Sequence, residues 1–182
     1  MYKISTNRLE ELFKAIANER KLYLPVEKNS QVEFGQWSEG EDVCLDKLNT
    51  DRSPKDLFFP QSENIVAFKT KGKEISIIDN RDESEPFVVF GVRGCDAVSL
   101  EILDRVFLAD PVDTFYKARR DNGILISLAC SSPEETCFCN VFGIDATNPS
   151  GDIATWIIGD TLYWKDTTER GKAFTETIKD VF

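Results

Sequence analysis

Two stretches of the chain, Phe87-Val88-Val89-Phe90-Gly91-Val92 and Ile124-Leu125-Ile126-Ser127-Leu128-Ala129, are apolar without alternation. Runs of this length and composition predict strands buried on both faces, at the centre of a sheet. The segment between them reads as helix. Asp96 is a natural N-cap, and Val98, Leu100, Ile102, Leu103, Val106 and Phe107 follow it on an amphipathic pattern. A second helix is predicted from Pro111 to Arg120. A strand–helix–strand unit normally gives parallel strands with a right-handed crossover. Both strands then end on one edge of the sheet, where ligands collect in open α/β folds.

The flanking patterns are shorter. Asn7-Arg8-Leu9-Glu10 resembles a capping box, and Leu9, Leu12, Phe13, Ile16 and Ala17 place an amphipathic helix over residues 8–20. Leu22–Val26 and Val32–Trp37 alternate as strands around Asn29-Ser30. Residues 38–63 form a long loop expected to pack Leu57, Phe58 and Phe59 inward. Ile65–Thr70 and Glu74–Asp79 make a hairpin through Lys71-Gly72-Lys73, and Ala154–Ile158 and Thr161–Trp164 make another through Gly159-Asp160. A last helix starts near Thr168 with Ala173, Phe174, Ile178 and Val181 on one face. Gly171 is expected to weaken its first turns by about 1 kcal/mol relative to Ala. The fold class is therefore α/β (mixed α+β): a central mixed sheet with a parallel strand–helix–strand unit, flanking helices and β-hairpins.

The two central strands lead directly into cysteines. Cys95 follows the first in Gly91-Val92-Arg93-Gly94-Cys95-Asp96, and Cys130, Cys137 and Cys139 lie just after the second in Cys130-Ser131-Ser132-Pro133-Glu134-Glu135-Thr136-Cys137-Phe138-Cys139. Parallel pairing would bring Cys95 and Cys130 together, and the loop need only fold over to deliver the other two thiols. Four converging thiolates suit a cubane iron–sulfur cluster or a zinc ion. The alternative is inert buried thiols, against which stands the polar character of Ser131, Ser132, Glu134, Glu135 and Thr136. Cys137 and Cys139 could also act as a thiol/disulfide couple. Cys-x-Cys is an uncommon ligand spacing, and no ferredoxin-type cysteine run is present. Arg93 either offsets the charge of a thiolate-bound cluster or makes a salt bridge at the sheet edge. Asp96 is most simply a cap, and Cys44 has no partner at useful spacing. Gly91, Gly94 and Gly143 suit tight turns; the lone Gly-x-x-Gly is too weak for a phosphate loop.

Composition narrows these readings. The chain of 182 residues is long enough for one substantial core, and 41% hydrophobic content with 13 Phe and 3 Trp excludes a disordered tail. The net charge of −10 argues against nucleic acid, with Lys117-Ala118-Arg119-Arg120 as the one basic patch, read as a solvated helix end. The absence of histidine excludes His-ligated zinc, haem and Rieske-type centres, and the usual general base. No apolar stretch approaches bilayer length, so a membrane location is not expected. The expected location is the cytoplasm, a reducing compartment, and five cysteines there are not a disulfide framework.

Ser53-Pro54-Lys55 with Phe58-Phe59-Pro60, Gly-Val-Arg-x-Cys-Asp at 91–96, and Cys-x₆-Cys-Phe-Cys at 130–139 with Gly143 together resemble one family. It comprises the iron–sulfur electron-transfer subunits of anaerobic sulfite reductases and of sulfhydrogenase-type nickel–iron hydrogenases, in the latter the beta subunit. The resemblance is good over roughly residues 50–145 and loose at the ends. Family members usually carry Pro at the position of Gly94. They also carry a downstream ferredoxin-like module with two [4Fe–4S] clusters. The expectation is that residues 1–182 form a single N-terminal domain of a longer iron–sulfur subunit, without that module. The resemblance implies a [4Fe–4S] cluster on Cys95, Cys130, Cys137 and Cys139, with zinc as the alternative, and loss of the cluster in air. It also implies a non-catalytic role: electron relay between a catalytic subunit of the sulfite reductase or hydrogenase type and a flavin- and NAD(P)H-binding subunit. The competing functions are a Cys₄ zinc-stabilised interaction domain and a thiol-based redox sensor. Candidate docking faces are the loop at 38–63 and the tail hairpin with Trp156 and Trp164.

Overall fold

The computed structural model describes residues 1–79 and 85–182. In chain order its regular elements are Tyr2–Ser5 (β1), Leu9–Glu19 (α1), Lys21–Lys28 (β2), Gln31–Gln36 (β3), Val66–Lys71 (β4), Glu74–Asp79 (β5), Phe87–Val92 (β6), Gly94–Phe107 (α2), Thr114–Asn122 (α3), Gly123–Leu128 (β7), Ile153–Ile158 (β8), Thr161–Asp166 (β9) and Glu169–Ile178 (α4). Seven strands form one sheet in the order β1-β9-β8-β7-β6-β2-β3, while β4 and β5 form a separate two-stranded ribbon. The four inner strands β2, β6, β7 and β8 run parallel, and antiparallel partners close each side. The mixed sheet expected from the apolar runs is present.

The two central strands are buried throughout because both faces of the sheet are covered. On one face Val88, Phe90, Ile124, Ile126 and Leu128 pack with Leu12, Phe13 and Ile16 of α1 and Phe174 and Ile178 of α4. On the other, Phe87, Val89 and Leu125 pack with Ala97 and Leu100 of α2, Tyr116 of α3 and Phe58. Gly91 breaks the alternation. It adopts φ +86°, and the β6–β7 register slips between Phe90 and Val92. The bulge turns Val92 onto the α2 face, so β6 delivers its last side chain under the helix that carries Cys95. Only glycine suits the site, since a Cβ there would also lie 3.2 Å from both Leu45 and Pro25.

Several local expectations are corrected. β1 has no counterpart in the hydrophobic pattern; it is a short edge strand in which only Ile4 is buried, too little for a periodic signal. Asn7 does not cap α1. A 3-10 turn over Thr6–Arg8 precedes the helix, and Arg8 pairs with Glu11 instead. Arg93 rather than Asp96 is the N-cap residue of α2, and α3 starts at Thr114, where the Asp113 side chain accepts from the Phe115 and Tyr116 amides. Phe58 is fully buried and Leu57 half-buried as expected, but Phe59 is exposed on one side and stacks on Phe107 with centroids 4.5 Å apart. The basic patch is neutralised: Lys117 pairs with Asp121, Arg119 with Glu63 and Arg120 with Asp104.

Gly171 reverses its expected effect. Thr168 caps α4 by accepting from the Gly171 amide at 3.0 Å, and this first turn sits directly on the loop before β8. A Cβ on Gly171 would lie 2.0 Å from the Asp152 carbonyl oxygen, which also accepts from the Thr167 and Thr168 amides. The helix-propensity gain of alanine is overridden by a backbone clash. Gly171→Ala is expected to destabilise the protein by about 2 kcal/mol in urea denaturation; a neutral or stabilising result would contradict this contact.

Candidate functional site: a cysteine-lined sheet edge

β6 and β7 pair in parallel with Val92 opposite Ser127, so both strands leave the sheet at the same edge. Cys95 lies in the first turn of α2. Cys130 is two residues beyond β7, and its amide donates to Ala146 O at 2.9 Å. The intervening loop is turned by Cys137 N donating to Glu134 O at 3.0 Å, while the Glu134 amide donates to the Cys137 sulfur at 3.3 Å. Cys139 opens a 3-10 turn, Cys139–Phe142, which Gly143 ends at φ +66°. The chain then returns against Gly94, where a Cβ would lie in ordinary contact with Pro149, Ala146 and Ile144 at 3.6–3.7 Å. This return lays the cysteine loop against the start of α2.

The thiols influence one another electrically. The Cys95 thiol is pushed up to about 11, first by desolvation, then by the carboxylate of Asp96 and by Cys139, with a smaller effect of Cys130. Cys130 is also raised by desolvation and by Cys139 and Cys137, with Arg93 acting in the opposite direction. Cys44 stands apart. Its thiol responds to desolvation and to Glu27, Asp46 and Asp42, not to the other cysteines. The five cysteines form no disulfide. The four edge thiols suit a thiolate-bound cluster or zinc in donor chemistry. Among the described residues, however, no group of three Cys, Asp or Glu side chains is gathered as a metal-holding set.

Arg93 connects the parts of this edge. It is 6% exposed. Its guanidinium donates to Ala129 O at 3.2 Å, to Lys47 O at 3.1 Å and to Leu45 O, and its charge faces Cys130. Desolvation by the surrounding protein lowers its pKa from the ordinary arginine value. It therefore joins the end of β6 to the end of β7 and to the long loop, as a carbonyl clamp. Two further bonds, which no spacing in the chain suggested, tie the same loop down. Asn49 Nδ2 donates to Glu134 Oε2 at 2.8 Å, and Ser53 Oγ donates to Asp96 Oδ1 at 2.6 Å. Ser53-Pro54 is a visible turn signal, and Ser53 does accept from Lys55 N at the start of the Pro54–Leu57 turn. Nothing comparable marks Asn49. The tail hairpin is corrected as a docking candidate: Trp164 is 0% exposed, and Trp156 is half-buried with its indole donating to Thr147 O at 2.7 Å. A cleft of about 740 Å³ lies at the opposite edge, by Lys21, Tyr23, Phe87 and Arg119. Two of its cations are already paired, Lys21 with Glu85 and Arg119 with Glu63.

The fold and site thus define a mixed α/β domain with four thiols on the carboxyl edge of its parallel strands. The chain is similar to Sulfhydrogenase 2 subunit beta of Pyrococcus furiosus, at 29% identity over 180 residues, 99% of this chain and 52% of that protein. The resemblance to sulfhydrogenase beta subunits read from residues 50–145 therefore extends over nearly the whole chain. The chain spans about half the length of this curated relative. No family model and no solved structure matches it. No helix among the described residues is long and apolar enough to cross a membrane.

Two outcomes follow for the metal-free protein. Arg93→Leu removes the donor from three carbonyls and is expected to cost about 3 kcal/mol. Limited proteolysis should then cut residues 38–53 faster; wild-type stability and cleavage would contradict the clamp. Because desolvation and the nearby Asp96 carboxylate push the Cys95 thiol up to about 11 in the fold, against about 8.5 for an unperturbed thiol, the neutral thiol is the form the fold favours. Its contribution to stability is fully present below about pH 8.5 and is lost as pH rises toward 11. Alkylation of Cys95, followed by peptide mass spectrometry, should keep accelerating up to that pH; a plateau near about pH 8 would contradict the assignment.

Proposed function

We propose that the chain is a domain of an electron-transferring subunit in a complex of the hydrogenase or sulfur-reductase type. Residues 1–182 would form a single N-terminal domain of a longer iron–sulfur subunit in the cytoplasm. Cys95, Cys130, Cys137 and Cys139 are assigned as ligands of one [4Fe–4S] cluster. The observation that carries this reading is the placement of all four thiols on one edge of the parallel sheet, with Cys44 excluded. When bound, such a cluster would supply a one-electron relay. The partners would be a catalytic redox subunit and a flavin- and NAD(P)H-binding subunit; the domain itself would turn over no organic substrate.

The protein's own groups have distinct roles in this reading. Cys95 is fixed by α2 and Cys130 by the hydrogen bond its amide donates to Ala146 O, so these two form the rigid half of the ligand set. Residues 131–136 are exposed, which leaves the loop carrying Cys137 and Cys139 as the half that closes. Arg93 holds positive charge beside Cys130, which favours a thiolate there and would raise the potential of a negatively charged group.

Anaerobic reconstitution with iron and sulfide tests the assignment. A broad brown absorption that bleaches on reduction is expected for the wild type and for Cys44→Ser. Cys137→Ser should lose most of its bound iron. Equal retention in both variants would remove the ligand assignment, and a colourless protein that binds zinc and unfolds with chelator would favour the zinc-module reading.

A further inference from the structure

Phe138 sits between two of the thiols, yet it is 60% exposed. Val141 and Phe142, in the turn that begins at Cys139, are 76% and 69% exposed. The rings of Phe138 and Phe142 lie 5.7 Å apart, so they form one apolar knob rather than scattered residues. A second ridge starts at Cys95. Ile102 and Val106 fall within about 20° of Cys95 around α2 by helical spacing, and both are exposed. Exposed apolar surface of this kind, concentrated at a chemical centre, marks an interaction site.

Within the chain segment that forms the knob the charge is of one sign. From Asp121 to Trp164 the chain has no Lys or Arg. Glu134, Glu135 and Asp145 are exposed within this segment. Asp145 is held below the usual carboxylate range by hydrogen bonds from the Thr147 hydroxyl and amide, at 2.6 and 2.9 Å. Another exposed apolar face is different. Val66, Phe68, Ile75 and Ile77 line one side of the β4–β5 ribbon, which carries Lys69 and Lys71 on β4 and Lys73 in its turn.

We infer that Phe138, Val141 and Phe142, continued by Ile102 and Val106, form the docking surface for a redox protein whose contact face has an apolar centre rimmed by Lys and Arg. This rests on the relay reading above. An apolar centre with complementary rim charge is the composition of an interface that is steered electrostatically and held by desolvation. Contact at Phe138 would put the partner one residue from both Cys137 and Cys139.

The test uses the full-length protein, tagged and purified anaerobically with its complex. Carbodiimide cross-linking should join Glu134, Glu135 or Asp145 to lysines of a co-purified subunit. The yield should fall as salt rises through about 0.1 M and above. The double variant Phe138→Ser, Phe142→Ser should weaken retention of that subunit by about tenfold or more, while Phe68→Ser on the ribbon leaves it unchanged. Cross-links from these carboxylates to a later part of the same chain, partner loss with Phe68→Ser alone, or no co-purified subunit would each overturn the proposal. Iron content measured on the same preparations separates the two readings. Full iron with partner binding intact in the double variant removes the docking surface alone, whereas iron-free wild type removes the relay reading.

Discussion

The parallel pairing of β6 with β7 is the constraint on which the site depends. Parallel neighbours must end on the same side of the sheet, so whatever follows them in sequence is delivered to one place. Here that is Cys95 after one strand and Cys130 after the other. Burial enforces the pairing. Val88, Val89, Phe90, Leu125 and Ile126 are covered on both sides by helices, so neither strand can move to a margin without exposing its whole length. The Gly91 bulge adds a local adjustment, turning the end of β6 toward the helix that presents Cys95.

Around this edge the protein uses backbone carbonyls as much as side chains. Arg93, sealed from solvent, holds Leu45, Lys47 and Ala129 through their carbonyl oxygens. A buried guanidinium without such acceptors would be costly, and with them it makes three chain segments move as one. Asn49 and Ser53 extend the fastening to the cysteine loop and to α2. The result is an asymmetric site: a rigid wall made of strand ends, α2 and the strapped loop, faced by a surface loop with two thiols, two aromatic rings and several carboxylates.

The centre of the sheet is legible in the sequence because β6 and β7 are long, apolar and separated by one clear helical pattern. The delivery of Cys95 and Cys130 to one edge follows from topology alone. What escapes a sequence reading is decided by contacts distant in the chain. Gly171 has the composition of a weak point in α4, yet the Asp152 carbonyl occupies the place where a side chain would go. Trp164 reads as an exposed tail residue, but β9 pairs with β1 and β8 and buries it between α4 and the sheet. Arg93 suggests either a charge offset to thiolates or an ion pair, and neither reading signals its carbonyl acceptors, two of them in a loop of no regular pattern. Periodicity carries no information about such partners, since the same residue types would appear whether the contact formed or not.

The most direct measurement concerns Cys95, the proposed ligand farthest in sequence from the others. Iron content and iron-edge X-ray absorption of anaerobically reconstituted protein should give about four iron atoms per chain, with cysteine sulfur as the terminal ligand. In Cys95→Ala the iron content should fall sharply and the remaining signal should change type. A variant that keeps the full iron complement and an unchanged spectrum would show that the two strand ends do not share a cofactor.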